Sequence, residues 1–271
     1  MTPPSSPTAL LLPGMGLNAS FFPNIGLPTV FPDWGPIPLG NDGTLPSTAT
    51  TRMEVYRSAL DDALARSPNW RDGPRIVLAH SFGGMLALDW VLYHGCRGPA
   101  RLDGLVLIGT TAGPMYETAR VRLARFGRRE LRLGISRFMP FWNLPATTRT
   151  VKRLFCRGSL GVCPVDFSSL GSTSDFAIDS GVWRNTDWRA MRSFRLAMQG
   201  FDVRHRLSEI DVPTIVLHGT DDPLFATQLA EDLAGGIHGA ELRLIRRAGH
   251  GLPLSHPGEI TRAVRDCLEF G

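Results

Sequence analysis

Residues 76–88 read Ile76-Val77-Leu78-Ala79-His80-Ser81-Phe82-Gly83-Gly84-Met85-Leu86-Ala87-Leu88. Four apolar residues fit a buried strand, and the apolar run that starts at the glycines fits a helix from 83 to about 93. A tight turn between a core strand and a core helix explains the paired glycines. A turn built to hold Ser81 out as a nucleophile explains them equally well. The ends of the other strands must decide.

Working outward, strands are expected at 9–12, 29–31, 75–79, 105–108, 214–217 and 241–245, and helices at 53–66, 83–93, 226–233 and 257–270. Their alternation predicts an α/β fold, a mostly parallel sheet with helices on both faces. The alternation stops after the strand at 105–108. Residues 113–207 read as amphipathic helices and loops rich in Arg, Phe and Trp, an insertion that would cover one end of the sheet as a helical cap or lid. The core is then 1–112 together with 208–271, within the size of a single α/β domain.

The chain is 43% hydrophobic and 20% charged, which argues against disorder. No apolar stretch approaches the ~20 residues of a membrane-spanning helix. The N-terminal MTPPSSPTALLLPGMG has no basic residue before its short apolar run, so a secretory signal is not expected. The four cysteines Cys96, Cys156, Cys163 and Cys267 have no CxxC spacing and no metal-spaced histidine partners. They read as free thiols of a reducing cytoplasm, with a Cys156–Cys163 bridge as the alternative.

Net charge is +4, but it is unevenly spread. From Glu117 to Arg157, ten arginines and Lys152 face only Glu117 and Glu130, a net of +9; the remaining 18 bases and 23 acids leave −5 elsewhere. The basic stretch is either a solvated helical face or a surface for an anionic partner. No nucleic-acid reading module accompanies it, so nucleic acid is not expected as that partner.

Ligand sites in such sheets lie beyond the carboxyl ends of the strands. There the sequence carries Pro13-Gly14-Met15-Gly16 after the first strand and His80-Ser81-Phe82-Gly83 after the third. His218-Gly219-Thr220-Asp221-Asp222 follows the fifth, and Ala248-Gly249-His250 follows the last. A serine, a carboxylate and a histidine thus share one rim, in the order Ser, Asp, His. A serine hydroxyl needs a neighbouring base to become a nucleophile, and the base needs an orienting carboxylate.

This order and placement resemble the α/β-hydrolase fold family, whose nucleophile sits on a strained strand-to-helix turn. The resemblance spans nearly the whole chain. Its Gly-x-Ser-x-Gly motif stands here as Ala79-His80-Ser81-Phe82-Gly83, with alanine for the first glycine. The resemblance implies a serine hydrolase that works through an acyl-enzyme and needs no metal or organic cofactor. Ser81 would be the nucleophile and His250 the base. Asp222, three residues after Gly219, would be the acid, with Asp221 binding backbone in the loop. His80 takes a packing role, and His256 falls at the start of the last helix. The oxyanion would be held by the backbone N–H groups of Phe82 and Met15.

Within that family, PGMGLNASFF (13–22), residues 201–222 and AGHGLPLSHPGE (248–259) are similar to the pimeloyl-acyl carrier protein methyl ester esterases of biotin synthesis. Those carboxylesterases cleave a methyl ester from an acyl chain on an acidic carrier protein, and cap arginines hold the carrier. The resemblance implies carrier binding by Arg122, Arg125, Arg128, Arg129 and Arg132, and an acyl channel lined by Phe138, Phe141, Trp142 and Phe155. Packing within the cap is the other reading of those aromatics. Met15 stands where those enzymes have tryptophan, and the sheet is expected to be shorter than eight strands. A thioesterase, an acyltransferase or a small-ester esterase would use the same three residues. So would the remnant site of a non-catalytic ligand-binding protein.

Overall fold

The computed structural model describes residues 7–14, 17, 19–32, 52–67, 70, 75–95, 102–114, 194, 196–198, 200–222 and 224–269. Six strands make one sheet: β1 (Thr8–Leu12), β2 (Thr29–Val30), β3 (Arg75–His80), β4 (Gly104–Ile108), β5 (Thr214–Gly219) and β6 (Glu241–Ile245). Their order is β2-β1-β3-β4-β5-β6, with every pairing parallel. The helices are α1 (Arg52–Ala65), α2 (Phe82–His94), α3 (Thr227–Gly236), α4 (Leu252–Ser255) and α5 (Pro257–Glu269).

Successive side chains of a strand point to opposite faces, so each central strand feeds two cores. Leu10, Leu12, Val77, Ala79, Leu105, Leu107 and Val216 meet Tyr56 and Leu60 of α1, Met85 and Leu88 of α2, and Leu229 of α3. Ala9, Leu11, Ile76, Leu78, Val106, Ile108, Ile215 and Leu217 meet Ile260, Ala263 and Val264 of α5. Burial on both faces explains why 9–12 and 105–108 are unbroken apolar runs. Helix α2 is buried from Phe82 to Leu92 save for Asp89, and so lacks an amphipathic stripe.

Besides shifts of one to three residues at element ends, such as α3 reaching Gly236 and β5 reaching Gly219, two differences bear on the rim of the sheet. Strand β3 runs to His80 and α2 starts at Phe82, which leaves Ser81 alone between them. Helix α4 has no counterpart in the sequence reading: a single turn is too short to show a period, although Pro253 near its start suits a helix N-terminus.

Strands β4 and β5 are neighbours, yet 109–213 lies between them in the chain. The N–H of Val203 donates to the oxygen of Ala112 at 2.8 Å, which ties the two ends of this excursion together. Most of the expected cap lies outside the described residues. Of its last stretch, Phe194, Ala197, Met198 and Phe201 are buried in the same core as α1 and α2. Among the described residues no helix is long and apolar enough to cross a membrane.

Candidate active site

The chain passes outward from β1 to β2, then returns to β3 on the other side of β1. At such a reversal the loops leaving the carboxyl ends part and open a crevice. Gly14 and Ser81 face each other there. A Cβ placed on Gly14 would stand 3.1 Å from the Cβ of Ser81 and 2.9 Å from Nδ1 of His80, so only glycine lets the first loop come this close.

Ser81 has φ 55° and ψ −120°, a strained conformation for a residue with a side chain. Such strain costs roughly 1–3 kcal/mol and persists only where the surroundings enforce it. Here they do. The Ser81 N–H donates to the oxygen of Ile108 at 3.0 Å. Its own carbonyl accepts from the N–H of Gly84 (3.0 Å), the N–H of Met85 (3.3 Å) and the hydroxyl of Thr110 (2.7 Å). Gly83 lets the first turn of α2 press against the end of β1, since a Cβ there would overlap the main-chain oxygen of Leu12. The first motif position bears no such demand, and Ala79 packs fully buried within β3.

Beyond β5, the buried Asp222 carboxylate accepts at Oδ1 from the N–H groups of Leu224 (2.8 Å) and Phe225 (3.0 Å). Its Oδ2 accepts from Nδ1–H of His250 at 2.7 Å. Asp222 is 1% exposed and His250 4%. Burial alone would raise the Asp222 carboxyl. The charge and hydrogen bond of His250, together with the N–H of Phe225, outweigh it and hold the carboxyl below its ordinary value. With Nδ1–H given to the carboxylate, the imidazole keeps its lone pair on Nε2, the arrangement of an oriented general base.

The two loops that carry this pair are stitched together. Thr220 and Asp221 donate their N–H groups to the oxygens of Ile245 (3.0 Å) and Ala248 (2.9 Å). The N–H of Arg247 donates to Oγ1 of Thr220, whose hydroxyl donates to Oδ1 of Asp221 at 3.1 Å. Asp221 therefore serves the loop, through a hydroxyl where a backbone partner was expected. His256 caps the end of α4, directly before α5 begins.

His80 is buried and does more than fill space. Its Nε2–H donates to the main-chain oxygen of His250 at 2.9 Å. Its ring lies between those of Phe21 (centroids 4.6 Å apart) and His250 (4.7 Å). Phe225 lies 5.4 Å from the His250 ring.

The sequence reading missed three further neighbours. Phe82 is locked against Tyr56 (5.0 Å) and Phe194 (4.8 Å), which also touch each other (5.2 Å). The third is Thr110, visible in sequence only as one of two threonines closing β4. Met15, the arginines 122, 125, 128, 129 and 132, the aromatics Phe138, Phe141, Trp142 and Phe155, and Cys156 and Cys163 lie outside the described residues. Among the described residues no three His, Cys, Asp or Glu side chains are grouped to hold a metal.

The model of the alpha/beta hydrolase family matches residues 9–263. The chain belongs to this family. This hydrolase is 24% identical to the pimeloyl-[acyl-carrier protein] methyl ester esterase of Neisseria meningitidis serogroup C, over 96% of the chain and 92% of that protein. It is 35% identical to the putative carbamate hydrolase RutD of Pseudomonas syringae pv. syringae, over 70% of the chain and 66% of that protein. Shorter matches, such as the serine hydrolase BPHL of Mus musculus (32% identical over 84 residues), span only 29% of the relative's length. The structure of MenH from S. aureus aligns over 99% of the hydrolase and 96% of its own chain, with a TM-score of 0.67 at 18% identity. At that identity the likeness is one of fold.

Proposed function

We propose that this hydrolase cleaves carboxylic esters through an acyl-enzyme, with Ser81 as nucleophile, His250 as general base and acid, and Asp222 as the group that orients His250. One observation carries the reading: the buried 2.7 Å bond between His250 and Asp222, at the same end of the sheet as the strained Ser81. A pair so arranged exposes one basic nitrogen and offsets the charge that nitrogen acquires.

In this mechanism Nε2 of His250 takes the proton of Ser81 as Oγ attacks the ester carbonyl carbon. The carbonyl electron pair moves onto oxygen, which accepts hydrogen bonds from the N–H of Phe82 and the N–H of Met15. Each such donor is worth about 3–4 kcal/mol in the transition state. The carbonyl re-forms, the C–O bond to the alcohol breaks, and the alcohol leaves with the proton from His250. Water then gives a proton to His250 and attacks the acyl-enzyme. The acid departs and Ser81 regains its proton.

The proposed substrate is the methyl ester of a pimeloyl chain on an acyl carrier protein, which would make this a cytoplasmic enzyme of biotin synthesis. The relative that bears that name aligns with nearly the whole chain, and the +9 stretch at 117–157 suits an acidic carrier. Arg122, Arg125, Arg128, Arg129 and Arg132 would meet the carrier, while Phe138, Phe141, Trp142 and Phe155 would line the acyl path. Carbamate hydrolysis is the second reading, favoured by the 35% identity to RutD. The same serine attack would serve it.

The test is turnover of methyl esters of rising acyl length, the carrier-bound methyl ester and a carbamate, with Ser81→Ala as control. Preference for the carrier-bound ester, lost on reversing Arg128 and Arg129 to Glu, is expected. Equal turnover of short free esters, indifferent to that reversal, would remove the carrier. Carbamate turnover alone would favour the second reading, and full activity of Ser81→Ala would sink the mechanism.

A further inference from the structure

We infer that His80 is a positioning residue for the hydrolytic centre, a neutral imidazole held as its Nε2–H tautomer that fixes the backbone of His250 and the approach of the Gly14 loop to Ser81. The inference rests on the esterase reading above and deepens it. A main-chain carbonyl can only accept, so the 2.9 Å contact with the oxygen of His250 requires a proton on Nε2 of His80. Nδ1 must then be bare if the ring is neutral. That atom is buried and has no partner among the described residues. It faces Gly14, where an added Cβ would lie 2.9 Å away.

Neutrality follows from the surroundings. The ring sits between Phe21 and His250, in a space closed to solvent. Among the described residues, the ionisable groups that act on it are His250 and, beyond that, Asp222. Burial first, then the charge of His250, push the imidazole down to about 3, against smaller upward effects from its bond to the His250 oxygen and from Asp222. A cation there would oppose the imidazolium that His250 must become during ester cleavage. A neutral donor steadies the base without competing for its proton.

A purely space-filling aromatic would not define a tautomer, so the experiment reads one. In 15N-labelled protein, Nδ1 of His80 should give a pyridine-type resonance and Nε2 a pyrrole-type one, unchanged between about pH 5 and pH 8. A proton on Nδ1, or titration within that range, would overturn the inference. His80→Phe keeps a ring but loses the donor, and His80→Gln keeps an N–H of similar reach. Loss of about tenfold or more in kcat with KM within about twofold is expected for the first, with partial recovery in the second. If His80→Phe does not fold, the tautomer and the Gln variant still decide. Phosphonate labelling of Ser81 separates the two readings. Wild-type protein that resists labelling would sink the esterase reading and this one with it; labelled wild type with an unimpaired His80→Phe would sink this one alone.

Discussion

The hydroxyl of Thr110 donates to the main-chain oxygen of Ser81 at 2.7 Å, from a side chain that is almost wholly buried. It is the only side-chain group among the described contacts that holds the Ser81 carbonyl; the other two donors are N–H groups of α2. Thr110→Val removes the bond at nearly constant volume without orphaning the carbonyl. A loss of about 0.5–1.5 kcal/mol in urea unfolding is expected. Ester turnover should fall severalfold as Ser81 loses its fixed direction, and Thr110→Ser should restore both. Unchanged turnover in the valine variant would mean that α2 alone enforces the strained turn.

Asp222→Asn keeps the size of the side chain but not its charge. The Asn amide has only one acceptor, while the native carboxylate serves three N–H donors with two oxygens. His250 then loses its enforced tautomer and the compensation for its developing charge. A fall in kcat of about 10³–10⁴-fold is expected, with KM little changed. Asp221→Asn, at an exposed position, should leave kcat within about threefold. The reverse pattern in steady-state kinetics would assign the acid to the wrong aspartate.

The contrast between those two neighbours shows what sequence conveys and what it does not. Apolar runs such as 105–108 announce buried strands because both faces of the sheet are covered, and the paired glycines after Ser81 announce a close approach. In the sequence, only family spacing favours Asp222 over Asp221, since adjacent carboxylates are chemically identical there. Burial separates them in the fold. Contacts between distant segments leave no local pattern at all. Nothing in the sequence links Tyr56 to Phe194, or the ring of His80 to the carbonyl of His250 across 170 positions. Those pairings exist because parallel strands align their carboxyl ends, which gathers loops that the chain keeps apart.

Acid should destabilise the fold through His80. The unfolded chain protonates this side chain below about pH 6.5, whereas the folded chain keeps it neutral down to about 3. Between those values the unfolded state binds the extra proton. Stability therefore falls as pH falls, by up to about 1.4 kcal/mol per unit, and the contribution is constant above about pH 7. Asp222 acts in the same direction at lower pH, because its depressed carboxyl contributes stability that is lost as pH drops through its folded value. Urea unfolding of wild type and His80→Gln from about pH 7 to pH 4 checks this, since only the wild type carries the His80 slope. Parallel curves would show that His80 titrates alike in both states.

Arg247, with φ 58°, shares a positive φ with Ser81 but not the nucleophile's role proposed for that serine. It lies in the turn between β6 and His250, exposed, and its N–H donates to Oγ1 of Thr220 at 3.0 Å. A side chain in that left-handed region costs roughly 1–2 kcal/mol, whereas glycine adopts it freely but gives up about 0.5–1 kcal/mol of chain entropy on folding. Arg247→Gly keeps the N–H and removes the strain, so a gain of up to about 1 kcal/mol is expected with ester turnover unchanged. Ser81→Gly, by contrast, would also relieve a positive-φ strain but abolish turnover. If Arg247→Gly instead lowers activity while stabilising the fold, the arginine side chain itself reaches the substrate, and the strain at 247 belongs to the site after all.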